Sequence, residues 1–142
     1  MKVSDIMTKN VIGISPEESA EVAARTLAHF NIGMLPVCSS KGTLCGVVTD
    51  RDLVIRCMAS GKQPSGTKVR DLMTGQLLCV NPEMEASAAA QLMGSKQLRR
   101  LPVVDNGKLC GMVSLADIAC KEENQTLAAQ ALNGISSNVK RG

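Results

Sequence analysis

Apolar and polar positions along this chain follow two rhythms, and each rhythm occurs twice. Ala20, Ala23, Ala24 and Leu27 fall at i, i+3, i+4 and i+7, the spacing of one helix face, and Ala86, Ala89, Ala90 and Met93 do the same 66 residues later. The small side chains on both stripes suit close approach by another element. An extended pair of runs follows each stripe. Met34 to Cys38 and Leu44 to Thr49 flank Ser39-Ser40-Lys41-Gly42-Thr43, and Arg100 to Asp105 and Leu109 to Ser114 flank Asn106-Gly107. Asn-Gly between two such runs predicts a tight hairpin, because both residues tolerate the positive φ that its turn needs. Short strands are predicted ahead of each helix, over Val11 to Ile14 and Leu77 to Val80, ended by Pro16 and Pro82. A last helix is expected from near Asp50 in one case and near Leu115 in the other.

The rhythm recurs because the chain is duplicated. Val3-Ser4-Asp5-Ile6-Met7-Thr8 returns as Val69-Arg70-Asp71-Leu72-Met73-Thr74, Pro16-Glu17 as Pro82-Glu83, and Leu35-Pro36-Val37 as Leu101-Pro102-Val103. One residue is then lost, after which Leu44-Cys45-Gly46-Val47-Val48-Thr49 pairs with Leu109-Cys110-Gly111-Met112-Val113-Ser114, and Asp52 with Asp117. A repeat of roughly 60 residues is short for an independent core, so the two are expected to pack together. The expected organisation is one repeat over residues 1–62, a second over 63–123, and a C-terminal helix and flexible tail over 124–142. The linker is Ser60 to Gly66. The C-terminal helix is expected over Asn124 to Leu132, with Thr126, Leu127, Ala131 and Leu132 docking on the first repeat or on a partner chain.

Composition narrows the function classes. Of 142 residues 44% are apolar, and Phe30 is the only aromatic, so the core must be aliphatic. Modules that stack bases on aromatic rings are disfavoured. A net charge of +3 without a dense basic block gives little support to a nucleic-acid role. No apolar run approaches the ~20 residues that span a bilayer, and the first residues lack a leader pattern. A cytoplasmic protein is expected, with no membrane and no nucleic-acid partner. Cys38, Cys45, Cys57, Cys79, Cys110 and Cys120 form no C-x-x-C pair and read as small buried hydrophobes. The alternative is a thiol or metal role for Cys38 and Cys45, facing each other across a hairpin. His29, the sole histidine, lies far in sequence from the motif acids, and neither a P-loop nor a dinucleotide glycine fingerprint is present. No catalytic residue and no metal site is expected.

A β-α-β-β-α unit ending in Gly46-Val47-Val48-Thr49-Asp50-Arg51-Asp52 resembles the CBS domain, and its tandem form resembles a CBS pair, or Bateman module, of the small stand-alone bacterial kind. The matching residues are the Asp5-Ile6-Met7-Thr8 and Asp71-Leu72-Met73-Thr74 openings, the two Leu-Pro-Val segments, Gly46 to Asp52 and Gly111 to Asp117. The resemblance covers nearly all of the chain before the C-terminal helix. It implies an α+β fold: two tandem β-α-β-β-α repeats packed sheet to sheet about a pseudo-two-fold axis, with two clefts shared between them. It implies homodimers formed through helices, an unfused effector protein as partner, and no required cofactor. The implied regulatory ligand is an adenine nucleotide or relative: AMP, ADP, ATP or S-adenosylmethionine.

The residues suited to such a ligand follow. Thr49 ends a strand, and Asp52 stands three residues on, at the start of a helix. A carboxylate accepts two hydrogen bonds from a ribose diol, and a hydroxyl beside a helix N-terminus meets ribose or phosphate. Ser114 and Asp117 repeat the pair. Both pairs equally suit helix caps, and their spacing leaves the two roles open. By the resemblance Arg100 binds phosphate; Met34 stands at the equivalent place, so the two sites are unequal. Arg99 either assists or is a solvated charge. Arg51, with Ala116 as counterpart, either charges the first site or bridges to an acidic neighbour. The same analogy sets adenine against Val47 or Met112. One site then groups Arg100, Met112, Ser114 and Asp117 with Thr8 and Ile12; the other groups Val47, Thr49 and Asp52 with Thr74 and Leu78. Ordinary core packing competes for the apolar members. Two rival functions remain: a dimeric interaction scaffold without nucleotide binding, and a cysteine-based redox or metal sensor.

Overall fold

The computed structural model describes residues 1–75, 78–120 and 129–135. In chain order they form α1 (Val3–Ile6), α2 (Ala20–Phe30), β1 (Met34–Cys38), β2 (Leu44–Thr49) and α3 (Asp50–Asp52), which continues as a π-helical stretch, Leu53–Met58. Short 3-10 turns at Pro64–Gly66 and Val69–Asp71 lead to α4 (Ala86–Lys96), β3 (Arg100–Asp105), β4 (Lys108–Ser114) and α5 (Leu115–Ala119). Residues 129–135 are helical and are called α6. The α+β class is as expected: two antiparallel hairpins, β1–β2 and β3–β4, each with helices around it. Asn106 and Gly107 take φ of 51° and 79°, the positive pair that the short turn requires.

The chain divides into two compact units, and each takes its opening segment from the other repeat. The first unit is Ile12–Leu77; the second joins Met1–Val11 to the chain from Leu78 on. In the first, Thr74 of the returning opening exchanges two backbone bonds with Val47, at 3.1 and 2.9 Å. In the second, Thr8 exchanges the matching pair with Met112, at 2.8 and 3.0 Å. Ion pairs pin the same segments. Lys68 and Arg70 reach Glu17 at 2.7 and 2.9 Å, and Lys2 reaches Glu83 at 2.6 Å. The hydrogen bond from Lys68 holds the Glu17 carboxyl below its ordinary range, and the one to Glu83 raises Lys2. All are exposed, so their energetic weight is small.

The strands predicted ahead of each helix shrink to single parallel bridges. Ile14 pairs with Val37, and Val80 with Val103. Pro16 and Pro82 follow two residues later with no N–H to offer a ladder, so pairing stops there. Leu77 lies outside the described residues.

Each unit has its own aliphatic core. Ala23, Leu35, Val37, Val48, Val69 and Leu72 build one, and Val3, Ala89, Met93, Val103, Val113 and Ile118 the other. The helix stripes contribute as expected with one exception. Ala90 is buried on α4, but its counterpart Ala24 on α2 is exposed. The difference is α6, which docks on α4. A Cβ at Gly94 would lie 3.0 Å from Ala131 Cα, and one at Gly134 would lie 2.7 Å from the Gly94 carbonyl oxygen. The C-terminal helix therefore seats on its own repeat, where the first repeat or a partner chain was expected, and its glycine and alanine contacts explain the close approach. Thr126, Leu127 and the tail beyond residue 135 lie outside the described residues. Among the described residues no helix is long and apolar enough to cross a membrane.

Candidate functional site

β2 and β4 each end on a hydroxyl that turns the chain into a helix, and the same four-residue device occurs at both ends. Thr49 Oγ1 accepts from Asp52 N at 3.1 Å, while Asp52 Oδ2 accepts from Thr49 N at 2.9 Å. Ser114 Oγ and Asp117 Oδ2 repeat this at 3.0 and 2.8 Å. These are reciprocal capping boxes, so the capping role left open by the spacing is realised at both sites. Each carboxylate keeps its Oδ1 outside the box. At Asp52 this oxygen lies 3.7 Å from Arg56 Nε, and Arg56 Nη1 also donates to the Leu72 carbonyl at 3.2 Å. Arg56 thus ties the cap to the exchanged opening segment. It was not singled out from sequence, although its i+4 spacing from Asp52 is a legible signal.

The other predicted residues divide by unit. In the second unit Thr8 faces Met112 across an antiparallel bridge, and Leu78 packs on the core. In the first, Val47 faces Thr74 in the same way, and Ile12 packs on the core. Ile12 therefore belongs to the unit of Thr49, and Leu78 to that of Ser114. Val47 and Met112 take no part in the core clusters, whereas their neighbours Val48 and Val113 do. Strand alternation puts both on the face opposite the cluster; Met112 is half-buried there, while Val47, at 8% exposure, is still buried. Arg51 is exposed on α3.

A cavity of about 590 Å³ opens in the second unit. That is the size range of small-molecule sites. Arg99, Arg100, Ser114 and Leu115 line it, and α6 closes one side with Ala129 and Leu132. Arg100 stands opposite Ser114 in the β3–β4 register, and Leu115 N donates to the Arg99 carbonyl at 2.8 Å. Neither guanidinium has a hydrogen bond or ion pair among the described residues. Two cations on one cavity wall, with no partner among the described residues, favour an anionic occupant. Sequence reasoning reached Arg100 and Ser114. It missed the wall supplied by α6, whose position depends on tertiary docking.

The rival chemistries find less here. Only Cys57 is buried; Cys38, Cys45 and Cys110 are half-buried, and Cys79 and Cys120 are exposed. This corrects the reading of all six as core residues. Burial, with Cys45 beside it, pushes the Cys38 thiol up, away from the thiolate that redox or metal chemistry uses. Among the described residues no group of three or more His, Cys, Asp or Glu side chains is placed to hold a metal ion. His29 is exposed at the end of α2, its ring edge-on to Phe30 at 4.7 Å.

Comparison with known proteins agrees with this fold. The model of the CBS domain matches twice, over residues 3–58 and 69–121. The chain is 39% identical over 134 residues to the CBS domain-containing protein YhcV of Bacillus subtilis, covering 94% of each. Its fold superposes on the crystal structure of Hypoxic Response Protein I with two coordinated zinc ions, at a TM-score of 0.77 and 32% identity, over 84% of this chain and 98% of that one. It also superposes on CBSX2 in complex with AMP, at a TM-score of 0.74 and 33% identity, over 84% and 93%.

Proposed function

The chain belongs to the CBS-domain family as a tandem pair, and on that premise we propose that it is a non-enzymatic regulatory module that binds an adenosine nucleotide. The observation that carries the reading is the pair of guanidiniums, Arg99 and Arg100, without a partner among the described residues, on the wall of a ligand-sized cavity that also holds Ser114. The phosphate lies against these arginines, and Asp117, which does not line the cavity but is boxed to Ser114 on its wall, gives the Oδ1 left over from the cap to a ribose hydroxyl. Met112, half-buried and outside the core cluster of its unit, offers apolar surface to adenine. The AMP bound to CBSX2 supports the ligand class. Binding signals by favouring one arrangement of the chain over another, which an unfused partner then reads.

Calorimetric titration with AMP, ADP, ATP and S-adenosylmethionine tests this. Saturable heat with at least one phosphorylated member is expected. At a hundredfold excess over the dissociation constant it should add about 2.7 kcal/mol of apparent stability, visible as a raised melting temperature. Absence of binding across the panel defeats the proposal and leaves the scaffold reading in its place.

The assembly reading rests on a second observation. Val54, Ile55 and Met58 are 54%, 46% and 66% exposed, adjacent on one helical stretch of the first unit. A contiguous apolar patch of this kind marks an interface, and a second copy of the chain fits it through an isologous contact. Light scattering should show a dimer, and Val54→Asp with Met58→Asp should shift it to monomer with little change in monomer stability. A wild-type monomer, or a dimer indifferent to both charges, removes this interface.

A further inference from the structure

α6 presents two faces to its unit. Ala131, Gly134 and Ile135 fall at i, i+3 and i+4 and make one stripe. Ala131 and Ile135 are buried, and Gly134 comes so close to α4 that a Cβ on it would lie 2.7 Å from the Gly94 carbonyl oxygen. Ala129 and Leu132, three residues apart, make the other face and line the cavity that Arg99, Arg100 and Ser114 also line. Leu132 is a large apolar side chain left exposed there. The seat on α4 is incompletely filled. A second cavity of about 200 Å³ lies beside it, lined by Gln91 and Gly94 of α4 and Gln130 and Ala131 of α6. α6 also lies beyond the second CBS match, which ends at residue 121, so this wall is an addition to the repeat.

Resting on the nucleotide reading above, we infer that α6 is the ligand-responsive wall of this site. A nucleotide held by Arg99 and Arg100 that also covers Leu132 touches two elements. Among the described residues, the contact of α6 with α4 rests on Ala131, Gly134 and Ile135. The ligand gains its Leu132 contact only while α6 is seated on α4. Seating and occupancy therefore favour each other, by the same factor in both directions. A helix whose seat leaves space unfilled opens locally at low cost, so the ligand has an equilibrium to shift. Occupancy is then signalled by the state of α6, and an unfused partner reads the seated helix.

Hydrogen exchange of the intact chain, with and without saturating AMP, tests this. AMP should slow the amides of residues 129–135 about fivefold or more. Gly134→Ala keeps the helix, since alanine is the better helix former, but sets a methyl against the Gly94 carbonyl. It should speed exchange of these amides in the unliganded chain and weaken AMP about tenfold, although Arg99, Arg100 and Ser114 are untouched. Leu132→Ala should leave the unliganded exchange as in wild type, weaken AMP about fivefold and abolish the protection that AMP confers. AMP binding to wild type that leaves exchange of 129–135 unchanged overturns the inference and leaves the nucleotide reading intact. So does a Gly134→Ala chain that exchanges faster there yet binds AMP as wild type does. Should the methyl be absorbed without faster exchange, Leu132→Ala decides, and an AMP affinity equal to wild type overturns the inference. No AMP binding to wild type defeats the nucleotide reading, and the inference falls with it.

Discussion

Gly46→Val is expected to lower the melting temperature by about ten degrees, a loss of about 3 kcal/mol. A Cβ at Gly46 would stand 2.6 Å from the Thr74 carbonyl oxygen. That oxygen cannot retreat cheaply, because it accepts from Val47 N while Thr74 N donates to Val47 O. The substitution must break this bridge or bend β2. Gly111→Val should behave alike, since a Cβ there would stand 2.8 Å from the Thr8 carbonyl oxygen and 2.7 Å from Met7 Sδ. The Met7 side chain can move aside, but the Thr8 carbonyl is bonded to Met112. Gly66→Ala is the control: nothing lies within 4 Å of its Cβ position, so a change within about 0.5 kcal/mol is expected. Thermal melts followed by circular dichroism read all three. If Gly46→Val melts like wild type, Thr74 does not sit against β2, and the exchange of opening segments is wrong.

This exchange separates what the residues alone carried from what the family resemblance added. Hairpin boundaries depend on local chemistry, so alternation and the Asn106-Gly107 turn predicted them to within one residue. The repeat offset identified the opening segments as equivalent. A duplication alone relates residues without specifying their long-range contacts; it was the resemblance that set Thr8 with Met112 and Thr74 with Val47, as the bridges have them. The same limit applies to Ala24 and Ala90. Their helical spacing is equivalent, yet only Ala90 is covered, because α6 follows the second repeat and docks on it. For the site, the Thr49–Asp52 and Ser114–Asp117 spacings revealed a constellation with two chemical uses. Only coordinates showed one carboxylate oxygen spent on the cap and the other outside it. Arg100 was legible from its place in the motif. The pairing of Arg99 with it on one wall required the cavity, since a surface arginine and a site arginine look the same in a sequence.

Removing both guanidiniums, Arg99→Ala with Arg100→Ala, is expected to weaken AMP binding by about a hundredfold or more. A hydrogen bond to a charged group contributes about 1.5–3 kcal/mol, and each 1.4 kcal/mol is a factor of ten, so two lost contacts reach that range. Both side chains are exposed and without partners among the described residues, so the unliganded protein should melt within about 0.5 kcal/mol of wild type. That separates a ligand contact from a folding contact. Asp117→Ala does not separate them so cleanly, because it also removes a cap worth about 1 kcal/mol. Asp117→Asn keeps an acceptor for Ser114 N and is the better probe of the ribose contact. Arg100→Lys should recover part of the affinity, retaining charge but losing the planar fork that meets two phosphate oxygens. Adenosine, which has no phosphate, should bind wild type and the double variant with equal affinity. If AMP distinguishes the two proteins no more than adenosine does, the arginines are solvated surface charges and the phosphate lies elsewhere.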